Sequence, residues 1–267
     1  MVEYLTYEQQ EKVGIIGLNR PRRKNALTPE MLAEMQTLFG ELAGNTDVRC
    51  LVLRGSAESG FCAGFDLTLL PGGSDGSEKT VRVVAGADNP LERAFTAIGN
   101  CPQPVIAMLQ GGAFGAGCEL AAACDLRIGT SDLVMGMPPA RIGIVYSESG
   151  LRRFVGLLGL SRTRELFFTG RPCRGKRLLE IGLVDHMTPP DGIEAFTMEM
   201  AATIAGNAPI ALAGTKKIIN LIAGRMALAG ADRQEAEDWV RRSLASDDLK
   251  EGKTAMLERR PPVFRGR

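Results

Sequence analysis

Short apolar runs alternate with amphipathic stretches through the first half of the chain. Runs at residues 13–18, 50–53, 104–109 and 126–128 have the length of strands and are bounded by Gly, Pro or polar residues, which predicts four buried strands. After the first run, Thr28 and Pro29 are typical of a helix start, and apolar residues then recur at helical spacing as far as Leu42. Strands that alternate with helical segments favour a mainly parallel sheet covered by helices.

Helical periodicity alone continues after residue 147. The predicted helices cover residues 148–159, 161–168, 174–181, 192–206, 210–228, 233–244 and 248–259. We therefore divide the chain into an α/β core, residues 1–195, and a C-terminal helical region, residues 196–267. Within the core, residues 69–90 are rich in Gly, Ser, Asp and Pro and predict a long surface loop, a feature that is usually functional or disordered.

The charge composition excludes one large class of partners. The chain has 267 residues, with 32 Lys and Arg against 31 Asp and Glu. A protein that binds nucleic acid needs a concentrated basic face, so no nucleic-acid partner is expected. The beginning is too polar for a signal peptide and no run approaches about 18 apolar residues, which predicts a cytoplasmic protein that does not enter a membrane.

Histidine and cysteine usage narrows the chemistry. His186 is the single histidine, which disfavours histidine-based metal sites and hydrolases, so no metal is expected. We expect His186 to lie at a helix-to-loop junction and to be structural. The six cysteines form no C-x-x-C pair and predict reduced thiols in the core. The remaining candidates for chemistry are carboxylates, backbone amides and hydroxyls.

Two glycine-rich segments follow predicted strands, at residues 59–67 and 111–120. The second lies at a strand-to-helix junction, where free backbone N–H groups can approach a ligand oxygen. The dinucleotide fingerprint G-x-G-x-x-G is not met, because Leu120 occupies the third position, and no phosphate-binding G-x-x-x-x-G-K-[ST] motif occurs. By themselves these glycines are equally compatible with tight packing alone.

Several motifs, in order, resemble the crotonase family of acyl-CoA enzymes, also called the enoyl-CoA hydratase/isomerase family. They lie at residues 23–27, 60–67, 117–125, 169–171, 182–186 and 257–264, and so cover essentially the whole chain. The resemblance implies a spiral core of repeated β-β-α turns with C-terminal trimerisation helices. It also implies a homotrimer or a dimer of trimers, an acyl-CoA thioester as substrate, and no cofactor besides the coenzyme A of that substrate.

The same resemblance implies an oxyanion hole and a proton-handling group. The amides of Phe65 and Ala116 would hold the thioester oxygen and the enolate formed from it, and such a donor is worth about 2.7–4 kcal/mol to the transition state. Glu119 follows Ala116 by three residues and would project from the same face of the helix. It is the best catalytic candidate, although a glutamate in the first turn can simply complement the helix dipole.

The chain departs from the hydratase pattern at one position. Pro139 stands where hydratases of the family carry a second glutamate, and Ser147 stands where their dehalogenase relatives carry a nucleophilic aspartate. The segment around Tyr146 is similar to that of methylmalonyl-CoA decarboxylase, in which a tyrosine faces the substrate carboxylate. The Tyr146 phenol could thus position a carboxylate, relay a proton or simply pack in the core. Glu148 is either a second candidate carboxylate or part of a helix start.

The resemblance also assigns residues to the coenzyme A moiety. Lys24 and the backbone of Ala26 and Leu27 would hold phosphate and adenine, whereas Arg259 would reach a phosphate across the trimer. Each basic residue could equally be a solvated surface charge. The residues expected to border the adenine and pantetheine are Ala63, Gly64, Asp66 and Leu67.

Three hypotheses for function follow. The first is an enoyl-CoA hydratase or isomerase of fatty-acid or related acyl-CoA metabolism; isomerisation needs only one carboxylate, because the same base can remove and return a proton. The second is a decarboxylase of a malonyl-type acyl-CoA such as methylmalonyl-CoA or ethylmalonyl-CoA, in which the loss of CO2 itself generates the enolate. The third is a non-catalytic protein that binds acyl-CoA.

Overall fold

A computed structural model describes residues 4–56, 58–69 and 89–266. Among these, a six-stranded sheet has the order β1-β2-β3-β4-β6-β9 and a three-stranded sheet the order β5-β7-β8. β1 is antiparallel to β2, and the other neighbours in the large sheet are parallel. The strands are β1 (Leu5–Gln10), β2 (Val13–Leu18), β3 (Cys50–Arg54), β4 (Val105–Leu109), β5 (Gly112–Phe114), β6 (Leu126–Thr130), β7 (Val134–Gly136), β8 (Cys173–Arg174) and β9 (His186–Thr188).

Helices cover the sheets and make up most of the C-terminal third. Thr28 caps the first of them, accepting a hydrogen bond from the Met31 amide, as the sequence predicts. The helices are α1 (Pro29–Ala43), α2 (Pro90–Asn100), α3 (Ala116–Ala123), α4 (Glu148–Thr169), α5 (Lys176–Glu180), α6 (Ile193–Ala205), α7 (Pro209–Gly224), α8 (Gly230–Ala245) and α9 (Asp247–Leu257). None of the helices in these described ranges combines the length and apolar character needed to cross a membrane.

Apolar layers bury both faces of the large sheet. Leu51 and Leu53 of β3 pack in the cluster that includes α1 and α2. Val52, which points to the opposite face, packs in the cluster covered by α6. Burial on both faces is the reason that the central strands read as continuous apolar runs.

Several sequence predictions need correction. The region after residue 147 is not helical throughout, because β8 and β9 lie within it. His186 begins β9 and pairs with Ile128 of β6, so it does not lie at a helix-to-loop junction. The predicted loop at 69–90 ends at Asn89, whose side chain caps α2, and its residues 70–88 lie outside the described residues.

Other predictions agree with the structure or remain open. Gly159 adopts a positive φ of 72° inside α4, which separates the two helices predicted at 148–159 and 161–168. Five of the six cysteines are buried and Cys173 is partly buried. Burial raises the pKa of the Cys62 thiol to about 12, which fits an unreactive core residue. The division of the chain at residue 195 stays a prediction, and the boundary falls inside α6.

A buried lysine fastens α7 to the core. Lys216 is 8% exposed, and its Nζ donates to the Asp125 carboxylate at 2.6 Å and to the carbonyls of Gln103 and Ile98 at 3.1 and 3.2 Å. All three donor positions of the ammonium are therefore used. The outer face of α7 carries exposed isoleucine and leucine side chains, among them Ile218 and Ile222.

The loops that matter for function leave the same edge of the large sheet. β2, β3 and β4 are parallel neighbours, and the segments that follow them are residues 19–28, 55–69 and 110–115. In open α/β sheets, ligands bind beyond the carboxyl ends of the strands. The candidate site lies where these three segments meet.

Candidate active site

Main-chain hydrogen bonds connect the first glycine-rich segment, residues 59–67, to the loop after β2 and to the second glycine-rich segment, residues 111–120. The Leu27 amide donates to the Gly64 carbonyl at 2.8 Å, and the Asp66 amide donates to the Leu27 carbonyl at 2.9 Å. On the other side, the Cys62 amide donates to the Gly112 carbonyl at 3.1 Å. Residues 62–66 are thus held between residue 27 and β5.

Asn25 holds this loop in place through hydrogen bonds of its side chain. It is fully buried, and its Nδ2 donates to the carbonyls of Gly60 and Phe61, each at 3.1 Å. Its Oδ1 accepts from the Arg20 amide at 3.0 Å. The motif at residues 23–27 therefore has a definite local role, which is to fix the loop that carries Phe65.

Two backbone amides lie at the junction of these segments. Ala116 is the first residue of α3, so its amide has no acceptor within the helix. In the described part of the chain, neither this amide nor that of Phe65 donates a hydrogen bond to protein. Gly64 has a φ of +104°, and a Cβ there would lie 2.7 Å from the Phe114 carbonyl oxygen, so only glycine lets the two segments approach.

A cavity of 330 Å³ opens beside these amides. Phe65, Ala116, Glu119 and Tyr146, the four residues predicted to be catalytic, all line it. Most of the remaining wall is apolar. It comes from the helices α2, α8 and α9 and from the segment that precedes α4. Examples are Leu91, Ile142, Val145, Val240 and Met256.

Glu119 has a partner for each carboxylate oxygen. It is only 3% exposed; Oε2 accepts from the Tyr146 hydroxyl at 2.5 Å, and Oε1 accepts from Nη1 of Arg153 in an ion pair. Burial raises the pKa of Glu119, the Arg153 charge and the Tyr146 hydrogen bond oppose that rise, and nearby Glu92 adds to it. The pKa remains above its ordinary value on balance.

Tyr146 is held equally closely. Its ring meets Phe167 edge-on, with centroids 5.5 Å apart. Gly150, the third residue of α4, leaves room for it, since a Cβ there would lie 2.5 Å from the tyrosine ring and 3.0 Å from Oε1 of Glu119. Burial and the adjacent Glu119 raise the pKa of Tyr146 well above 10, so the phenol keeps its proton.

Pro139, at the position where hydratases of the family would carry a second glutamate, is part of the cavity wall. It begins a 3₁₀ turn, Pro139–Ile142, and lines the cavity. Ser147 also lines the cavity, and its hydroxyl caps α4 by accepting from the Gly150 amide. Glu148 does not line it: its carboxylate binds Arg152 at 3.1 Å and accepts from the Leu228 amide.

Some residues predicted to bind coenzyme A border the cavity and others do not. Ala63, Gly64 and Leu67 line it. Lys24 is exposed in a left-handed conformation, with φ +50°, and its carbonyl accepts from the Ala63 amide. Arg259 is exposed beyond α9 and is not part of the cavity wall.

The other assigned groups already have protein partners. The Leu27 amide donates to the Gly64 carbonyl, and the Leu27 carbonyl accepts from the Asp66 amide. The Ala26 carbonyl accepts from the Arg20 guanidinium. Asp66 forms an ion pair with Arg20 at 2.8 Å and accepts from Thr68. Burial opposes its ionisation, but these hydrogen bonds outweigh it and lower the pKa of Asp66. A contact of these residues with coenzyme A stays a prediction.

Arg153 is a residue of the site that the sequence did not predict. Its partner Glu119 is 34 residues earlier in the chain, and no local spacing connects them. The available signal was an arginine pair, Arg152 and Arg153, next to apolar positions of a predicted helix.

A sequence model of the enoyl-CoA hydratase/isomerase family matches residues 8–267. The chain belongs to this family. The Bacillus subtilis protein YngF, named for the same family, is 35% identical over 259 residues, covering 97% of this chain and 96% of YngF. The methylmalonyl-CoA decarboxylase of Escherichia coli is 30% identical, with 99% and 98% covered.

Solved structures agree with the crotonase fold. A methylmalonyl-CoA decarboxylase complexed with 2S-carboxypropyl-CoA superimposes with a TM-score of 0.91 at 28% identity, and 99% of each chain is covered. The prediction of a crotonase-type acyl-CoA enzyme is confirmed at the level of the family.

Proposed function

We propose that this enzyme decarboxylates a malonyl-type acyl-CoA. One observation carries the proposal: both oxygens of Glu119 are engaged by Tyr146 and Arg153, and Pro139 supplies no second carboxylate. Hydration and isomerisation need a carboxylate that is free to take a proton from water or from carbon. Decarboxylation needs none, because the electrons of the breaking C–C bond form the enolate directly.

The cavity suits this bond cleavage. The bond between C2 and the substrate carboxylate breaks, CO2 leaves, and the electron pair moves into the thioester as an enolate. The amides of Phe65 and Ala116 would receive the enolate oxygen, each worth about 2.7–4 kcal/mol to the transition state. The apolar wall, which includes Ile142 and Val145, solvates the substrate carboxylate poorly. Because poor solvation destabilises the charged carboxylate, it favours conversion to neutral CO2.

Tyr146 then completes the reaction. Tyr146 lines the cavity and its phenol keeps its proton at neutral pH, so when the hydroxyl turns from Oε2 of Glu119 towards the enolate it can transfer that proton to C2. The phenol recovers a proton from solvent before the next turnover. The likeness to methylmalonyl-CoA decarboxylases in sequence and in structure supports the same reaction class.

The test is CO2 release from malonyl-, methylmalonyl- and ethylmalonyl-CoA, followed together with the mass of the thioester product. We expect release from at least one of them and a loss of turnover of about a hundredfold or more in Tyr146→Phe, a size typical of removing a positioned acid–base group. Absence of CO2 release from the whole panel contradicts the proposal. Tight binding without turnover of any acyl-CoA would instead indicate the non-catalytic alternative.

A second candidate, isomerisation or hydration of an enoyl-CoA, is favoured by a separate observation. Glu119 lines the cavity one helical turn from the Ala116 amide, so a rotation that released Tyr146 would expose a base beside the enolate. A pooled acyl-CoA library distinguishes the reactions by product mass: loss of CO2, gain of water, or a shifted double bond at constant mass. Turnover of enoyl-CoA that is abolished in Glu119→Gln would favour this candidate.

A further inference from the structure

We propose that Arg153 is a positioning residue that acts through Glu119 and thereby aims the Tyr146 hydroxyl at the substrate. The inference deepens the proposed function, on which it rests for the identity of the proton donor. Arg153 would fix which oxygen of Glu119 remains for the tyrosine.

The two oxygens of the Glu119 carboxylate have different partners. Arg153 takes Oε1 and the Tyr146 hydroxyl takes Oε2. A buried carboxylate with a single hydrogen bond would either rotate or take up a proton, because an unpaired buried charge is costly. With Oε1 fixed, the carboxylate plane is set, and so is the position of the hydroxyl that donates to Oε2.

Arg153 is itself held from a second helix. Its guanidinium lies 3.6 Å from the Glu92 carboxylate and 5.6 Å from the centre of the Phe95 ring, and both of these residues are on α2. An arginine confined by an acid and an aromatic face has little freedom to leave Glu119. Arg153 thus connects α2 to the two residues that handle the proton.

The charges around the pair give Arg153 a second effect. The groups that face Glu119 and Tyr146 among the described residues are Glu92 on α2, the Cys118 thiol on α3 and Arg153 on α4. Arg153 is the cation in this set. It favours the ionised form of Glu119, and it would offset the negative charge that appears on Tyr146 while its proton is on the enolate.

A structural role alone is the competing explanation, since an ion pair between helices can simply stabilise their packing. Helix α4 offers a matched control for this explanation. Arg152, the preceding residue, also pairs with a glutamate, Glu148, but neither side chain lines the cavity. Loss of Arg152 removes an Arg–Glu ion pair within α4 without touching Glu119, so it controls for the loss of an arginine from this helix, and the Tm of Arg153→Met reports the loss of the contact between helices.

The experiment measures two reactions of the full chain. The first is CO2 release from methylmalonyl-CoA, and the second is exchange of the C2 hydrogens of propionyl-CoA in D2O, which reports proton transfer to and from the enolate without decarboxylation. The variants are Arg153→Met, Arg153→Lys, Arg152→Met, Glu119→Gln and the double variant Glu119→Gln/Arg153→Met. The Tm of each variant is recorded beside its kinetics.

We expect Arg153→Met to lower kcat and the exchange rate by about a hundredfold, the size that a small misplacement of a reacting group can produce. KM should change little, because Arg153 does not line the cavity. Arg153→Lys should recover part of the loss, and Arg152→Met should retain wild-type rates. In the Glu119→Gln background, Arg153→Met should add almost nothing, since the two residues act as one unit.

The pH profile separates positioning from packing. Removal of Arg153 takes away a charge that lowers the pKa of Glu119, so the acid limb of the rate profile should move to higher pH in Arg153→Met. Wild-type kcat in a folded Arg153→Met variant, or a full additional loss in the Glu119→Gln background, overturns the inference. Arg153-dependent exchange without CO2 release would refute the decarboxylase proposal and leave the inference standing.

Discussion

At the scale of single residues, the site depends on a carboxyl group and a phenol that share one short hydrogen bond. Glu119 is the acceptor and Tyr146 the donor, which fits an ionised carboxyl and a neutral phenol. Burial raises the pKa of both groups, and the two shifts act on opposite limbs of the pH profile. Under the proposed mechanism, the carboxyl would set the acid limb and the phenol would set the alkaline limit.

The first prediction concerns the acid limb. As pH falls through the raised pKa of Glu119, the carboxylate takes up a proton. The loss of activity on the acid side should therefore occur at a pH above 4.5, the ordinary pKa of a glutamate carboxyl. No loss should arise from Tyr146 up to pH 10, because the pKa of the phenol lies well above that value. The measurement is kcat/KM against pH for the wild type and Glu119→Gln. An acid limb that persists unchanged in the variant would assign it to another group.

The second prediction concerns Gly150. In Gly150→Ala the new methyl group would lie 2.5 Å from the Tyr146 ring, so the ring must move and kcat should fall by about tenfold or more, as expected for a displaced reacting group. Gly156→Ala is the control on the same helix, where a Cβ would meet nothing within 4 Å. It should retain activity and gain about 0.5–1 kcal/mol in the free energy of unfolding. Equal activity of the two variants would contradict the close fit.

The residues of the site differ in how well sequence predicts them. Phe65, Ala116 and Glu119 lie in local glycine-rich motifs that resemble those of the crotonase family, and that resemblance led to their prediction as site residues; all three line one cavity. Arg153 has no such local signal, because its contact with Glu119 depends on how α4 packs against α3. Asn25 was within a recognised motif, but its buried hydrogen bonds to the next loop could be seen only in three dimensions.

At the scale of elements, close backbone contacts shape the far end of the cavity. A Cβ at Gly252 of α9 would lie 2.7 Å from the main chain of Ile142, and a Cβ at Gly143 would lie 2.8 Å from the main chain of Asp248. The 3₁₀ turn that carries Pro139 is therefore pressed directly against α9. Because Met256 of α9 also lines the cavity, this contact sets the width of the cavity at that end, where the acyl group is expected to bind.

A third prediction follows for this contact. Gly252→Ala should push α9 away from the turn, lower the free energy of unfolding by about 1–3 kcal/mol, as overpacked positions do, and raise KM for the acyl-CoA substrate. Gly40→Ala in α1, where a Cβ meets no atom within 4 Å, is the matched control and should be slightly stabilising. Thermal unfolding and KM are the readouts. An unchanged KM in a destabilised Gly252→Ala variant would separate α9 from the acyl pocket.

Sequence patterns predicted the central elements better than the marginal ones. β3 and β4 were found because both of their faces are buried and their residues, apart from Arg54 at the end of β3, are apolar. β1 was missed because this edge strand is mostly exposed and polar beyond Leu5. β8 and β9 have two and three residues, too few for a period to show, and pairing with other strands alone defines them.

At the scale of the whole molecule, α7 presents a row of exposed apolar side chains to its surroundings. Ile210 is 88% exposed and Ile222 is 68% exposed. Contiguous apolar surface of this kind is typical of protein–protein interfaces. It is consistent with the predicted homotrimer or dimer of trimers, which stays a prediction.

The fourth prediction tests that assembly. Light scattering of the purified protein should give three or six times the mass of one chain, and Ile222→Glu should shift the distribution towards smaller species because it would bury an unpaired charge. Circular dichroism of the variant should remain that of the folded chain. A wild-type protein that is monomeric at micromolar concentration would show that this surface serves another purpose.

The ammonium of Lys216 has a consequence for the enzyme's own chemistry. Acyl-CoA thioesters are acylating agents, and an enzyme that works among them exposes its lysines to slow modification, which removes their charge. Lys216 is buried and donates to three acceptors, whereas its neighbour Lys217 is exposed. Peptide mapping after incubation with an acyl-CoA should therefore find Lys217 modified well before Lys216. The lysine that fastens α7 would thus be shielded from the reactive compounds that the enzyme handles.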